Sequence, residues 1–224
     1  MKKIKKKKSN EISKKKLKNK GIQKKINFLL EVRALKYIPR ASLTFLQGPI
    51  KENIAEHSFC ATIIGWVLSK MEKADENKVI KMLLLHDLPE IRGGERNLIN
   101  KFYTQPLNEK AILKEISKDY QLEDFSLVSL IEEFNSQRTI EARVAKDADT
   151  LSQMLLEKEC LGLGNIRAKR WLDTSFMRLE TPSGKKLGET LVEIDPDKWW
   201  LDIVKKYILK IKFLSPDDPF FYEE

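Results

Sequence analysis

The chain has 224 residues, 42% of them hydrophobic, and a formal net charge of +9. That length suits one sizeable domain with tails, and the composition suits an ordinary buried core. Thirteen lysines and one acid, Glu11, fall within residues 1–25, which carry +12; the other 199 residues hold 29 basic and 32 acidic groups, a net of −3. A uniformly basic, nucleic-acid-coating body is thereby excluded: the basic object is the leading segment.

Residues 1–25 have little to bury and read as a disordered tail. The plain reading is a solvated extension; the functional one is a weak, salt-sensitive and nonspecific contact with nucleic acid. No aromatic residue precedes Phe28, so the segment has no stacking platform. No uncharged apolar stretch follows the lysines, which argues against a secretory signal. The apolar run Ala61–Leu68 is far shorter than the ~20 residues of a membrane span. Cys60 and Cys160, the two cysteines, lie inside apolar helical patterns and read as reduced, buried thiols, which suggests a cytoplasmic protein.

From Ile22 the pattern turns amphipathic, and Ile26, Leu29, Leu30, Val32 and Tyr37 suggest a helix that ends before Pro39. A loop follows over residues 42–51. Asn53 is a plausible N-cap with Glu56 as its capping-box partner, opening a helix to about Lys73. Ile54, His57, Ala61, Ile64 and Leu68 form its inward stripe. Asp75 or Asn77 starts the next helix, where Val79, Met82, Leu83 and His86 share one face. Gly93-Gly94 breaks the chain. Segments 106–120, 123–135 and 138–162 read as helices, the last carrying Val144, Ala148, Leu151, Leu155 and Leu156 inward. Asn165–Phe176, Lys185–Glu193 and Pro196–Phe213 follow, and the end from Ser215 is irregular. Without any convincing alternating strand, the fold class is all-α.

The sequence has only two histidines, both on apolar helical faces. A single such histidine is more often a hydrogen-bonded core residue than a ligand. Here His57 and His86 are joined by Asp87 and by the cluster Asp147-Ala148-Asp149. Burying all these polar groups is costly unless something compensates them, and a divalent cation does so. Imidazole suits Zn, Fe, Co or Ni and carboxylate suits Mn or Mg.

Three stretches, Glu52-Asn53-Ile54-Ala55-Glu56-His57-Ser58, Leu85-His86-Asp87-Leu88-Pro89-Glu90 with Gly94-Glu95, and Lys146-Asp147-Ala148-Asp149-Thr150-Leu151, resemble the HD-domain phosphohydrolases. The similarity is greatest to the 5′-deoxynucleotidase branch and its eukaryotic relatives. It implies a helical HD domain over residues 26–214, between the lysine-rich tail and an irregular tail over 215–224. It implies one divalent metal ion (Co, Mn or Mg, with Zn, Fe or Ni also suited) held by His57, His86, Asp87 and Asp149. Glu90 and Glu95 would be the catalytic acids, and Arg40 and Lys101 would meet the substrate phosphate. Asp147 would lie beside the site or at the solvent, so that Asp147→Asn would leave metal and activity intact.

Tyr37 stands where relatives carry an arginine, with Arg40 or Lys36 as its replacement, and Ile38 follows it. The implied reaction is hydrolysis of (deoxy)nucleoside 5′-monophosphates by a homodimer. Two other readings remain open: hydrolysis of a nucleoside triphosphate or guanosine tetraphosphate, and non-catalytic nucleotide or RNA binding. Two histidines are too few for the multi-metal oxygenases and cyclic-dinucleotide phosphodiesterases of the same fold. Trp171, Trp199 and Trp200 read as packing or dimer contacts, and Arg167, Lys169 and Arg170 as a small basic patch.

Overall fold

The expected helices are nearly all found. The computed structural model describes residues 19–211, and of 208–211 the backbone only; among these residues it contains helices and no named strand. Helix α1 covers residues 19–32 and passes into a 3-10 turn, Arg33–Tyr37. It begins inside the segment expected to be tail. Lys25 Nζ binds the Tyr120 carbonyl at 3.1 Å and also the Gln121 carbonyl, and Phe28 packs on Tyr120 with ring centroids 5.7 Å apart. A cation at the carbonyl end of a neighbouring helix is favourable, and it ties the start of α1 to the body. The rest of the lysine-rich tail and the C-terminal tail lie outside the described residues.

The expected loop after Pro39 contains a helical turn, α2 (Leu43–Leu46), closed by Gln47 at φ 51°. Leu46 is buried against Cys160 and Ala168, which supplies the packing that a loop reading omits. An isolated antiparallel bridge pairs Pro39 with Asn53. Its hydrogen bonds, Arg40 N–H to Glu52 O and Ile54 N–H to Ile38 O, are both 3.0 Å long. This bridge sets Arg40 beside the start of α3.

Helix α3 (Ile54–Glu72) opens with the expected capping box: Asn53 Oδ1 accepts from Glu56 N–H, and the Glu56 carboxylate accepts from Asn53 N–H, each at 3.0 Å. Asp75 caps α4 (Glu76–Leu85). Gly65 lets these two helices close, since a Cβ there would fall 2.1 Å from Leu83 Cδ1. Next come α5 (Glu90–Gly93), α6 (Leu98–Tyr103), α7 (Glu109–Tyr120) and α8 (Leu127–Ser136). Helix α6 was not expected; the Asn97 side chain caps it by accepting from Asn100 N–H at 2.9 Å.

The 23-residue helix α9 (Ile140–Gly162) is the axis of the domain. Helices α3, α4, α8, α10 (Arg167–Phe176) and α11 (Pro182–Glu193) pack around it. Their shared core contains Ala61, Leu68, Met82, Leu83, Val144, Ala148, Leu151 and Met154. Leu155 was expected inward but is 40% exposed, because Met154 takes the core position one residue earlier. Helix α11 begins three residues before the expected Lys185, with Thr181 as N-cap and Pro182 in the first turn. The last helix is α12 (Lys198–Ile211).

Cys160 is buried and free, as expected, whereas Cys60 is free but exposed, on the side of α3 away from the core. Among the described residues no helix is long and apolar enough to cross a membrane.

Candidate metal centre

His57, in the first turns of α3, is fully buried. Its Nδ1 lies 3.2 Å from Ser152 Oγ, whose hydroxyl reaches the His57 carbonyl at 3.4 Å. With that hydroxyl donated to the carbonyl, Oγ accepts Nδ1–H, and the lone pair falls on Nε2, 3.0 Å from Asp149 Oδ1. His86 follows the last turn of α4 and sends Nδ1–H to the Leu83 carbonyl at 2.7 Å. Its Nε2 also faces inward, 3.2 Å from Asp87 Oδ2 and 3.8 Å from Asp149 Oδ1. The same Asp87 oxygen is 3.9 Å from His57 Nε2. Lys146, one turn before Asp149 on α9, holds Oδ2 at 2.8 Å and so leaves Oδ1 for the centre.

The structure thus brings together the four residues expected as ligands. One nitrogen each of His57 and His86 and one oxygen of Asp149 lie within 4.8 Å of one another, and Asp87 closes the group. A divalent ion fits this set on two grounds. His86 Nε2 is buried without a hydrogen-bond partner, an unmade interaction of the kind a metal supplies. Both imidazoles also have their outer nitrogen fixed by a second partner, the usual support of a metal-binding histidine.

The electrostatics agree. Burial opposes ionisation of both carboxyls, yet the neighbouring histidines hold Asp87 low, and Lys146 with His57 holds Asp149 well below the carboxylate range. Burial works against a charged His86, but Asp87 and Asp149 push it up to about 9. His57, under the same burial, is lowered. Two ionised carboxylates around two imidazoles form a pocket that attracts a cation.

Arg40 lies beside this centre. Its guanidinium is 3.5 Å from Asp87 Oδ2, 3.2 Å from Glu95 Oε1 and 3.3 Å from Gln153 Oε1. Glu95 Oε2 also accepts from Ala41 N–H. Glu90 turns a carboxylate oxygen without a partner into the same region; burial, then the charges of Asp87 and Glu95, push its carboxyl up to about 8. These groups line a cleft of about 330 Å³ that also takes in Lys101 and Arg178. Lys101 is exposed in this cleft. Of the two candidates to replace the missing arginine, Arg40 reaches the centre, whereas Lys36 lies over the Tyr37 ring, 4.6 Å from its centroid. Trp171 packs as expected, stacked on Phe45.

Asp147 is neither beside the centre nor at the solvent. It is 1% exposed and accepts from Glu180 N–H, Thr181 N–H and Thr181 Oγ1–H at 2.6–2.9 Å. It therefore fastens α9 to the start of α11. Sequence reasoning also missed Ser152, Gln153 and Glu157. The signal was available, since Gln153 and Glu157 continue the face of Asp149 at intervals of four.

Glu52 borders the cluster, 3.7 Å from Arg40 Nε, and burial, only partly opposed by Arg40, pushes its carboxyl from 4.5 up to about 7. Its folded-state value lies above the unfolded one, so the folded state holds the proton more tightly, and stability is lost as pH rises from about 4.5 to about 7. Glu52→Gln is therefore expected to raise Tm by roughly 2–4 °C at pH 8 and hardly at all near pH 5. Equal shifts at both pH values would refute this reading.

The match to a family model, HD domain, runs over residues 32–190. The chain belongs to the HD domain family, the class of metal-dependent phosphohydrolases that its motifs resemble. The protein named 5′-deoxynucleotidase HDDC2 of Dictyostelium discoideum is 28% identical over 161 residues, covering 62% of this chain and 81% of its own. The Bos taurus protein of the same name is 24% identical over 151 residues, covering 65% of this chain and 72% of its own.

Two solved structures show the same fold. One is described as a conserved hypothetical protein from Pyrococcus furiosus (24% identity, TM-score 0.61, covering 75% of this chain and 99% of that one). The other is described as a predicted metal-dependent phosphohydrolase from Magnetospirillum magnetotacticum MS-1 (22%, TM-score 0.56, 87% and 96%).

Proposed function

We propose that this metal-dependent phosphohydrolase cleaves nucleoside 5′-monophosphates, deoxynucleotides among them, to nucleoside and inorganic phosphate. One observation carries the reading: two imidazole nitrogens, one of them the unpartnered His86 Nε2, meet the carboxylates of Asp149 and Asp87 beside an arginine in a narrow cleft. A cleft of about 330 Å³ is at the small end of the range for small-molecule sites, which favours a monophosphate over a triphosphate or guanosine tetraphosphate. The names of the curated relatives support the same substrate class.

His57, His86, Asp87 and Asp149 would hold a divalent ion, with Co, Mn or Mg proposed. Bound there, such an ion lowers the pKa of a coordinated water toward ~7 and offsets charge on a phosphoryl oxygen. Glu90, with an unpartnered carboxylate oxygen beside Asp87, is the group suited to orient the attacking water and, when ionised, to take its proton. Arg40 presents a planar fork to the phosphoryl oxygens, and Lys101 adds a point charge. Glu95 has one oxygen on Arg40 and the other on the Ala41 amide, which suits it to fixing Arg40 in place. The bond from phosphorus to the 5′-oxygen breaks as the water oxygen adds, and the 5′-oxygen leaves with a proton.

The proposal includes a cytoplasmic homodimer. Two free thiols support the compartment, and the exposed Phe59, Ile63, Trp66 and Val67 on α3 support the dimer. Nucleic-acid contact by the lysine-rich tail is proposed as an accessory.

The test is phosphate release by the full-length protein from a panel of 5′-mono- and triphosphates, with and without each metal. Glu90→Gln is expected to lower kcat by roughly 10²–10⁴ with metal content unchanged. A variant as active as the parent would remove Glu90 from the reaction.

A further inference from the structure

One turn beyond Asp149 on α9, Gln153 is buried in the wall of the cleft. Its Oε1 accepts from Arg40 Nη2 and from Ser42 Oγ, each at 3.3 Å, and its Nε2 donates to Glu157 Oε1 at 3.0 Å. Glu157 Oε1 also accepts from Ser175 Oγ at 3.1 Å, and that hydroxyl oxygen in turn accepts from Arg178. Chemistry fixes the direction of these bonds. A guanidinium has donors and no acceptor, so the amide atom that faces Arg40 is the oxygen, and the NH₂ faces Glu157. Glu157 thus holds the amide in the orientation that Arg40 can use.

Arg40 is otherwise surrounded by acids. Its Nη1 lies 3.5 Å from Asp87 and 3.2 Å from Glu95, and its Nε lies 3.7 Å from Glu52. Each of these carboxylates draws the guanidinium and also offsets its charge. Gln153, facing Nη2, carries no charge, so it fixes the plane of the fork without cancelling the charge that a phosphoryl group meets. It also ties Arg40 to the helix that carries Asp149, and Ser42 brings the segment after the Pro39–Asn53 bridge to the same oxygen. We infer that Gln153 is a positioning residue, its amide oxygen aiming the Arg40 guanidinium at the substrate phosphate and Glu157 locking the amide. The inference rests on the phosphohydrolase reading above, in which Arg40 meets that phosphate.

Gln153→Met nearly keeps the volume and removes the oxygen. In metal-loaded protein it is expected to lower kcat/KM for dAMP about 10- to 100-fold, the size of a misaimed contact. Competitive inhibition by inorganic phosphate should weaken about tenfold, or about 1.4 kcal/mol, with bound metal per chain unchanged. Arg40→Lys supplies the background in which a positioning role and a merely structural one part. Lysine is a point charge with no plane to hold, so adding Q153M to R40K should cost less than about threefold further. Glu157→Gln keeps an acceptor for Gln153 Nε2 and Ser175 Oγ, and should stay within about threefold of wild type.

Full activity in Q153M, an equal loss in both backgrounds, a loss of metal along with activity, or an E157Q loss as large as that of Q153M each overturn the inference. Should Q153M fail to fold, Gln153→Asn, polar but a methylene too short to reach Arg40, takes its place under the same criteria. If wild type releases phosphate from neither dAMP nor the other 5′-monophosphates, the phosphohydrolase reading fails instead. Calorimetric titration with inorganic phosphate then reads Gln153 separately. Binding about tenfold weaker in the variant supports the role; equal affinities, or no binding by wild type, overturn it.

Discussion

Replacing His86 by alanine is expected to take bound divalent metal from about one ion per chain to near zero and to lower kcat/KM for phosphate release more than about a thousandfold, or about 4 kcal/mol of barrier. The expectation follows from geometry. Leu83 O fixes Nδ1–H of His86, so Nε2 can point only at the centre, where Asp87 Oδ2 and Asp149 Oδ1 lie within 4 Å of it. Alanine removes a nitrogen ligand and leaves two part-buried carboxylates facing each other with less to offset them, which weakens both the site and the fold around it. Since the His86 ring also packs on Phe134 with centroids 5.5 Å apart, His86→Asn, a polar and less drastic truncation, is the companion variant. Asp87→Ala should give the same two losses. Elemental analysis of the folded protein, soaked in Co, Mn or Mg, and a phosphate assay on one preparation check both. Full occupancy with full activity in His86→Ala would end the assignment of this centre.

The features that could be read in the sequence are those set by short-range chemistry. The Asn53–Glu56 capping box and the Asp75 cap are hydrogen bonds between residues two or three apart, so their pattern is local. The stripes of α3, α4 and α9 follow from a helical period against one core, and they carried His57, His86 and Asp149 inward with them. Cys60 was misjudged because that period is coarse: it sits one residue before the fully buried Ala61, yet on the far side of the helix. The turn Leu43–Leu46 exists because Leu46 finds Cys160 and Ala168, more than a hundred residues away. Arg40 is placed by the Pro39–Asn53 bridge, and no residue in between announces that pairing. Asp147 was beyond local reading altogether, since its three donors sit more than thirty residues along the chain.

Those three donors make Asp147 the second strong test, this time of stability. Asp147→Asn is expected to lower Tm by roughly 5–15 °C, corresponding to about 2–4 kcal/mol, while bound metal per folded chain stays at the wild-type level. The carboxylate accepts from Glu180 N–H through Oδ1 and from Thr181 N–H and Oγ1–H through Oδ2. An amide has one acceptor oxygen, so in either orientation its NH₂ faces a backbone N–H, and at least one buried donor loses its partner. Nor can the side chain turn away, because a Cβ at Gly184 would already fall 2.2 Å from Asp147 Oδ2. Thr181 also caps α11, with Oγ1 accepting from Gly184 N–H at 3.0 Å, so loosening Asp147 loosens the first turn of that helix. Thr181→Val should reproduce part of the loss, by about 1–2 kcal/mol. Thermal melts beside metal analysis separate the two roles open to this residue. An unchanged Tm would refute its part in fastening α9 to α11, and loss of metal at an unchanged Tm would in addition give Asp147 a role in the metal centre.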